Sequence, residues 1–164
     1  MRKVLSILSL CLVFVGYSQE VNISVKNLEI AYYYEGLPHT GGIWDMENDY
    51  YMEASVKDGR LHGLKREFYS SNFSNRPMMF EGNYQNGKPD GFHQKWYRNG
   101  QLEMKGNYHL DAIGYGLWQY WYENGQLKQQ ITFKDGKRDG LYQRWDESGQ
   151  LVEESNWQDG VRID

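Results

Sequence analysis

From residue 58 onward the chain alternates bulky and polar side chains in short runs, and glycine breaks those runs at regular intervals. Leu117, Gln119 and Trp121 fall on one parity, while Trp118, Tyr120 and Tyr122 fall on the other. Alternation at period two, carried by aromatic residues, predicts strands rather than helices. The run recurs as Gly91 to Trp96, Gly116 to Trp121 and Gly140 to Trp145, followed by the turn glycines Gly100, Gly125 and Gly149. The resulting period of 24 to 25 residues predicts a repeat array rather than a globule with one core. Asn99-Gly100 and Asn124-Gly125 are dipeptides favoured in two-residue hairpin turns, and Ser148-Gly149 is a weaker version. Each unit therefore reads as a β-hairpin, with Asp-Gly or Asn-Gly corners leading into the next.

Units read at 135–157, 114–133, 86–108 and 58–84, the last with a longer loop at 70–77 and Phe68 in the tryptophan slot. Residues 50–59 match the second half of a degenerate unit, whose first half is sought at Glu29–Gly36. Asp159-Gly160-Val161 opens a further unit. The organisation is thus a leader at 1–18, a segment with a degenerate repeat at 19–57 and the repeats proper at 58–164.

Parity counting assigns one face to Phe92, Trp96, Leu102, Met104 and Tyr108, then to Leu117, Trp121, Leu127, Ile131 and Phe133. Leu141, Trp145, Leu151 and Trp157 continue it. Stacked in register, such cross-strand pairs stabilise by about 0.2–1 kcal/mol each. The opposite face then presents His93, Tyr97, Trp118, Tyr120, Tyr122 and Tyr142, with Lys95 and Arg144. These six rings are the candidate binding residues, since Tyr, Trp and Arg dominate binding hot spots. The alternative is that the rings only pave a sheet that lacks a second layer.

The amino terminus changes the setting. Arg2 and Lys3 precede an apolar stretch from Val4 to Val15, and Gly16-Tyr17-Ser18 fits a cut after Ser18, which predicts a cleaved signal peptide. Lipid attachment at Cys11 is rejected, because Leu12 to Val15 continue the apolar run and Leu10 is bulky. Export places the chain in the periplasm, the envelope or outside the cell, and leaves residues 19–164 without cysteine. Two of the 18 basic residues leave with the leader and no acidic ones do, so the net charge of −4 becomes −6. That balance opposes nucleic-acid binding and simple docking on anionic lipid. At 16% aromatic residues, the chain is too ring-rich for disorder.

Catalytic patterns are absent from the sequence. His39, His62, His93 and His109 occupy unrelated repeat positions, without metal-ligand spacing. Ser70, Ser71 and Ser74 lack a glycine-flanked elbow. Asp58, Asp90, Asp135, Asp139 and Asp159 stand at or near glycine corners, where aspartate suits turn geometry, and lack the spacing of a calcium loop. No enzyme, metal or cofactor is expected.

These units resemble the bacterial MORN repeat variant: glycine, apolar residue, aromatic pair, Asn-Gly, Gln-Leu, then an aromatic. Gly91-Phe92, Trp96-Tyr97, Asn99-Gly100-Gln101-Leu102 and Tyr108 carry the pattern, as do Gly116-Leu117, Trp121-Tyr122, Asn124-Gly125-Gln126-Leu127 and Phe133. Gly140-Leu141, Trp145, Gly149-Gln150-Leu151 and Trp157 carry it again. Departures are Asp146 for the second aromatic, Ser148 for the asparagine, and the insertion at 70–77. The resemblance implies an elongated, single-layer antiparallel sheet of consecutive hairpins. It also extends to YwqK-like proteins that carry an antitoxin label. Three functions follow as expectations: a protein-interaction scaffold, a saccharide or cell-wall binder, and an antitoxin or immunity-like protein. A terminal strand ending near Trp157 would offer an edge to another chain.

Overall fold

The structure, a computed structural model, describes residues 10–14, 17–26, 29–34, 37, 38, 40–47, 50–69, 76–109 and 113–164. The described elements are all strands: β1 Leu10–Phe14, β2 Tyr17–Lys26, β3 Glu29–Tyr34, β4 Leu37–Pro38, β5 Gly41–Glu47, β6 Tyr50–Lys57, β7 Arg60–Phe68 and β8 Met78–Gln85. They continue as β9 Lys88–Trp96, β10 Leu102–His109, β11 Ile113–Trp121, β12 Leu127–Lys134, β13 Lys137–Trp145, β14 Leu151–Gln158 and β15 Val161–Arg162. Strands β5 to β15 form one antiparallel sheet in strict chain order, and β1 to β4 form a second sheet. The hairpin mate of β6 is β5; Glu29–Tyr34, sought above as that mate, lies in the smaller sheet as β3. Ser70, Ser71, Ser74 and His39 fall outside the described residues.

Two kinds of turn alternate along the large sheet, and they differ from the sequence expectation. The two-residue turns with positive φ at both positions are Asp58-Gly59, Asn86-Gly87, Asp135-Gly136 and Asp159-Gly160. They join one unit to the next. Within a unit, the loop after Trp96 is longer: Gly100 N–H donates to the Tyr97 carbonyl at 2.9 Å and Tyr97 N–H to the Gln101 carbonyl at 2.8 Å. Only Gly100 has positive φ there, so Asn99-Gly100 is not a two-residue turn. Asn99 instead spends its side chain on the loop, accepting from Gln101 N–H at 2.9 Å. Asn124 accepts from Gln126 N–H in the same way at 2.9 Å.

That longer loop is followed by a bulge, where Trp121 pairs with Leu127 while Tyr120 pairs with Gln129. The same irregularity occurs between Trp145 and Leu151, and between Phe68 and Met78. An extra residue reverses the parity that a straight count carries across it. The face assignment is corrected accordingly. Trp118 stands opposite Ile131 and Gly116 opposite Phe133, with Met104 opposite Tyr120. Trp118, Ile131 and Tyr142 are the buried cluster, packed by Met104, Tyr108, Tyr120, Phe133 and Trp157. Of the expected apolar ladder, Met104, Tyr108, Ile131, Phe133 and Trp157 pack here, on the face of His93, Trp118 and Tyr142, whereas Leu102, Leu127 and Leu151 pair with Trp96, Trp121 and Trp145. Leu117 and Leu141 are 46% and 39% exposed.

Glycine decides which parity is packed. In the central row of this aromatic face, His93 lies between Gly82 and Gly106, and Tyr142 lies between Ile131 and Ser155. A Cβ added at Gly82 would lie 2.6 Å from the Phe80 ring and 2.8 Å from that of His93. One added at Gly106 would overlap the Trp118 ring. Each large ring is thus seated where its neighbour has no bulky side chain. Rings follow one another edge to face along the row, with His93–Tyr108 centroids at 4.8 Å and Tyr108–Trp118 at 5.0 Å. Such contacts add about 0.5–1.5 kcal/mol each beyond area burial.

The opposite face has a polar spine. Gln119 Nε2 donates to Gln130 Oε1 at 3.2 Å, Gln130 to Gln143 at 2.7 Å, and Gln143 to Glu154 at 2.6 Å. Further along the sheet, Arg66 bridges Glu53 at 3.2 Å and Glu81 at 2.6 Å. We call this the ladder face. Gly106→Ala should destabilise the array by about 1–3 kcal/mol through overpacking. That cost should largely vanish in a Trp118→Ala background, as a double-mutant cycle in urea would show.

Candidate functional site

The structure divides the six sequence-derived site residues into two groups. His93, Trp118 and Tyr142 are 4%, 5% and 9% exposed, so they belong to the packed row rather than to an open surface. Tyr120 joins them half-buried, stacked beside Trp118 with centroids 6.4 Å apart. Burial, followed by the neighbouring Tyr108, pushes its phenol above the usual tyrosine value. Lys95 and Arg144 share this face; Arg144 forms an exposed ion pair with Glu153 at 3.0 Å.

Tyr97 and Tyr122 do something else. Tyr97 Oη donates to the Trp121 carbonyl at 2.8 Å, and Tyr122 Oη donates to the Trp145 carbonyl at 3.0 Å. Tyr69 does the same to the Trp96 carbonyl at 2.7 Å. Each phenol therefore reaches from one unit to the strand end of the next. Burial, then the carboxylates of Glu103 and Glu123, raise the Tyr97 phenol above its ordinary value. The asparagines run parallel to these links: Asn99 Nδ2 donates to the Glu123 carbonyl at 2.8 Å and Asn124 Nδ2 to that of Glu147 at 2.9 Å.

This geometry explains the departures in the last unit. Asp146 takes the place of Tyr97 and Tyr122, and Ser148 the place of Asn99 and Asn124. Asp146 makes no forward link of this kind among the described residues. Asp146 turns back on its own loop, accepting from Ser148 Oγ at 2.6 Å, Ser148 N–H at 2.9 Å and Gln150 N–H at 3.0 Å. Those donors, the serine hydroxyl first, hold its carboxyl below the usual value. Parity counting missed these links because a phenol that reaches 24 residues ahead leaves no local pattern. The recurrence of the second aromatic in every unit but the last was the available signal.

His93 is closed off from chemistry as well as from solvent. Its Nε2–H donates to the Asn83 carbonyl at 2.9 Å, and the Phe80, Tyr84 and Tyr108 rings surround it at 4.8–5.2 Å. Burial first, then Lys65, lowers its pKa below 6.5, against the opposing pull of the Asn83 hydrogen bond. No group of three or more metal-ligating side chains gathers among the described residues. None of their helices is long and apolar enough to cross a membrane.

Four of the exposed large apolar residues lie on the ladder face. Ile113, Tyr115, Leu117 and Leu141 are 39–46% exposed, and Trp96, Trp121 and Trp145 are partly exposed on the far side of the glutamine spine. Lys105 Nζ lies 5.5 Å from the Trp121 ring centroid. A broad, shallow, mixed apolar and amide surface suits recognition by area.

Two outcomes follow. Tyr97→Phe and Tyr122→Phe should each lower stability by about 0.5–1.5 kcal/mol, the net worth of one hydrogen bond, in urea unfolding followed by tryptophan fluorescence. For His93, the folded pKa lies below the unfolded one, so the unfolded chain binds more protons as pH falls. Stability should be level above about pH 6.5 and decline below it. A urea-midpoint series from pH 7.5 to 5 should show that slope, and His93→Gln should flatten it.

No curated protein matches the chain. Residues 89–109, 115–135 and 138–159 match the MORN repeat variant, and these segments coincide with the hairpins β9–β10, β11–β12 and β13–β14. The hairpin β7–β8 lies outside those segments, yet it repeats the glycine seat at Gly82 and the forward tyrosine link at Tyr69. Three consecutive hairpins of this protein are thus similar to the MORN repeat variant.

Proposed function

We propose that this chain is an exported, non-catalytic scaffold that holds a protein partner on the ladder face of its repeat sheet. MORN repeats are interaction motifs for proteins and membranes, and the acidic balance of the chain, −4 overall, favours the protein side of that pair. The observation that carries the reading is the patch formed by Ile113, Tyr115, Leu117 and Leu141, whose large apolar side chains are open on the ladder face. The remaining chemistry is committed elsewhere, since Tyr97 and Tyr122 bind backbone and His93 is enclosed. A saccharide platform on Trp118 and Tyr142 would need open rings, and theirs are closed.

Export rests on the leader pattern of residues 1–18. A cut after Ser18 would remove β1 and the first two residues of β2, leaving the eleven-stranded sheet whole. An antitoxin or immunity-like role is a special case of the same reading, in which the partner is a toxin met outside the cytoplasm.

Photo-crosslinking amino acids at Leu117 and Leu141 should give a discrete adduct in cells, while one at Lys95 on the aromatic face should not. Leu141→Asp should abolish the adduct formed from position 117, and Leu117→Asp the one formed from position 141, neither shifting the unfolding midpoint. Absence of adducts from the ladder face would refute the scaffold reading. A mature protein retaining residues 1–18 would refute export.

A further inference from the structure

We infer that the tryptophan row of the ladder face, Trp96, Trp121 and Trp145, binds a single extended chain of neutral β-1,4-linked sugars. The inference goes beyond the scaffold reading and uses a different part of that face. Along β11 the order is Leu117, Gln119, Trp121, so the glutamine spine separates the tryptophan row from the apolar patch.

Each matched unit carries glutamine and tryptophan two residues apart: Gln94-Lys95-Trp96, Gln119-Tyr120-Trp121 and Gln143-Arg144-Trp145. Alternate residues of a strand share a face, so each glutamine stands beside its tryptophan. The register holds these pairs in line. Gln94 lies opposite Lys105, Lys105 opposite Gln119, Gln119 opposite Gln130 and Gln130 opposite Gln143. The tryptophans two residues further on therefore form a parallel row, spaced two strands apart, or about 9.5 Å. All three indoles are partly exposed. The ring face of Trp121 can be reached from its surroundings, since the Lys105 ammonium stands over it at 5.5 Å from the centroid.

The spacing matches one disaccharide of an extended β-1,4-linked chain, in which alternate sugars present the same face. A sugar ring with equatorial substituents turns its C–H bonds outward, and the electron-rich face of an indole attracts them. The glutamines supply contacts to the edge of the chain. An amide offers two donor hydrogens and two acceptor lone pairs. Gln119 spends one donor on Gln130, while Gln143 spends one donor on Glu154 and one lone pair on Gln130. The remainder is free to meet sugar hydroxyls. Two features narrow the ligand. The net charge of −4 disfavours an anionic polysaccharide. Strand twist of about 20–25° per step turns each indole by roughly 40–50° from the last, so a single chain that twists with the row meets every ring and a flat crystalline face does not. An amphipathic helix is the competing occupant. At about 10 Å in diameter, it would cover the glutamine spine and strip water from amide groups without replacing their partners, which is costly.

The test titrates the full chain with cellohexaose and chitohexaose, the hydroxylated and N-acetylated forms of one linkage, by calorimetry. At least one should bind saturably, tenfold or more tighter than its own disaccharide, which spans a single ring. The ratio between the two shows whether the N-acetyl group is recognised. Trp121→Ala should weaken the hexasaccharide at least tenfold. Fluorotryptophan NMR of the otherwise unaltered chain reads the site without depending on that variant's folding: the resonances of Trp96, Trp121 and Trp145 should move on titration, and that of buried Trp118 should not. The inference is overturned if neither hexasaccharide binds, if hexasaccharide and disaccharide bind equally, or if bound sugar moves none of the three resonances. A photo-crosslinking residue at Trp145 that captures a protein, with no sugar bound by the chain, would assign the row to a polypeptide instead. Leu117→Asp should leave sugar affinity unchanged, and the crosslinks from positions 117 and 141 are read without sugar, so this inference and the scaffold reading can fail separately.

Discussion

A ring seated over a residue too small to resist it is the interaction on which this sheet depends. Along β9 to β14 the apolar side is buried by side chains of the layer itself. His93 over Gly82 and Gly106, Trp118 over Gly106, and Tyr142 beside Ser155 achieve that by lying across their neighbours. The result is an indole that is 5% exposed in a structure one strand thick. Interior-like packing of this kind tolerates little added volume, which is why the glycine-bearing strand of each hairpin is as constrained as the ring-bearing one.

Two further sets of contacts tie the seated rings into an array. Glutamine side chains run across the ladder face from β11 to β13 and end on Glu154 in β14, while tyrosine hydroxyls and asparagine amides join consecutive loops. Nearest-neighbour coupling is what makes repeat proteins cooperate. Here it runs through both faces and through the loop end of every hairpin, so no unit is held by its own contacts alone. The surface left for recognition is accordingly a residue of construction: Ile113, Tyr115, Leu117 and Leu141 on the ladder face, open where the sheet's own packing does not reach.

Much of this was legible from residue order. The period, the strands and the single-layer hairpin array follow from alternation and from the recurring glycines. The faces were not, because an extra residue after Trp121 and Trp145 inverts a parity count that looks secure within each strand. Nor was the turn class, since Asn99-Gly100 fits a tight hairpin equally well until the Tyr97 to Gln101 hydrogen bond shows a longer loop. The role of Trp118 was misjudged as exposed for a related reason. Its partner, Gly106, reads in sequence as a gap in a strand, whereas in the sheet it is the seat of the largest ring. Asp146 and Ser148 stood out as anomalies, but their meaning needed the direction of the tyrosine links.

That direction has a consequence for how such an array can grow. The three linking phenols, Tyr69, Tyr97 and Tyr122, all donate forward, to a unit later in the chain. Copying an internal unit therefore yields a donor and an acceptor together, and the new junction is satisfied at once. Adding a unit after Trp145 would not be, because Asp146 is folded onto its own loop and offers its successor nothing. A unit can be inserted without a loose junction only where a tyrosine follows the strand-ending aromatic, as at Tyr69, Tyr97 and Tyr122.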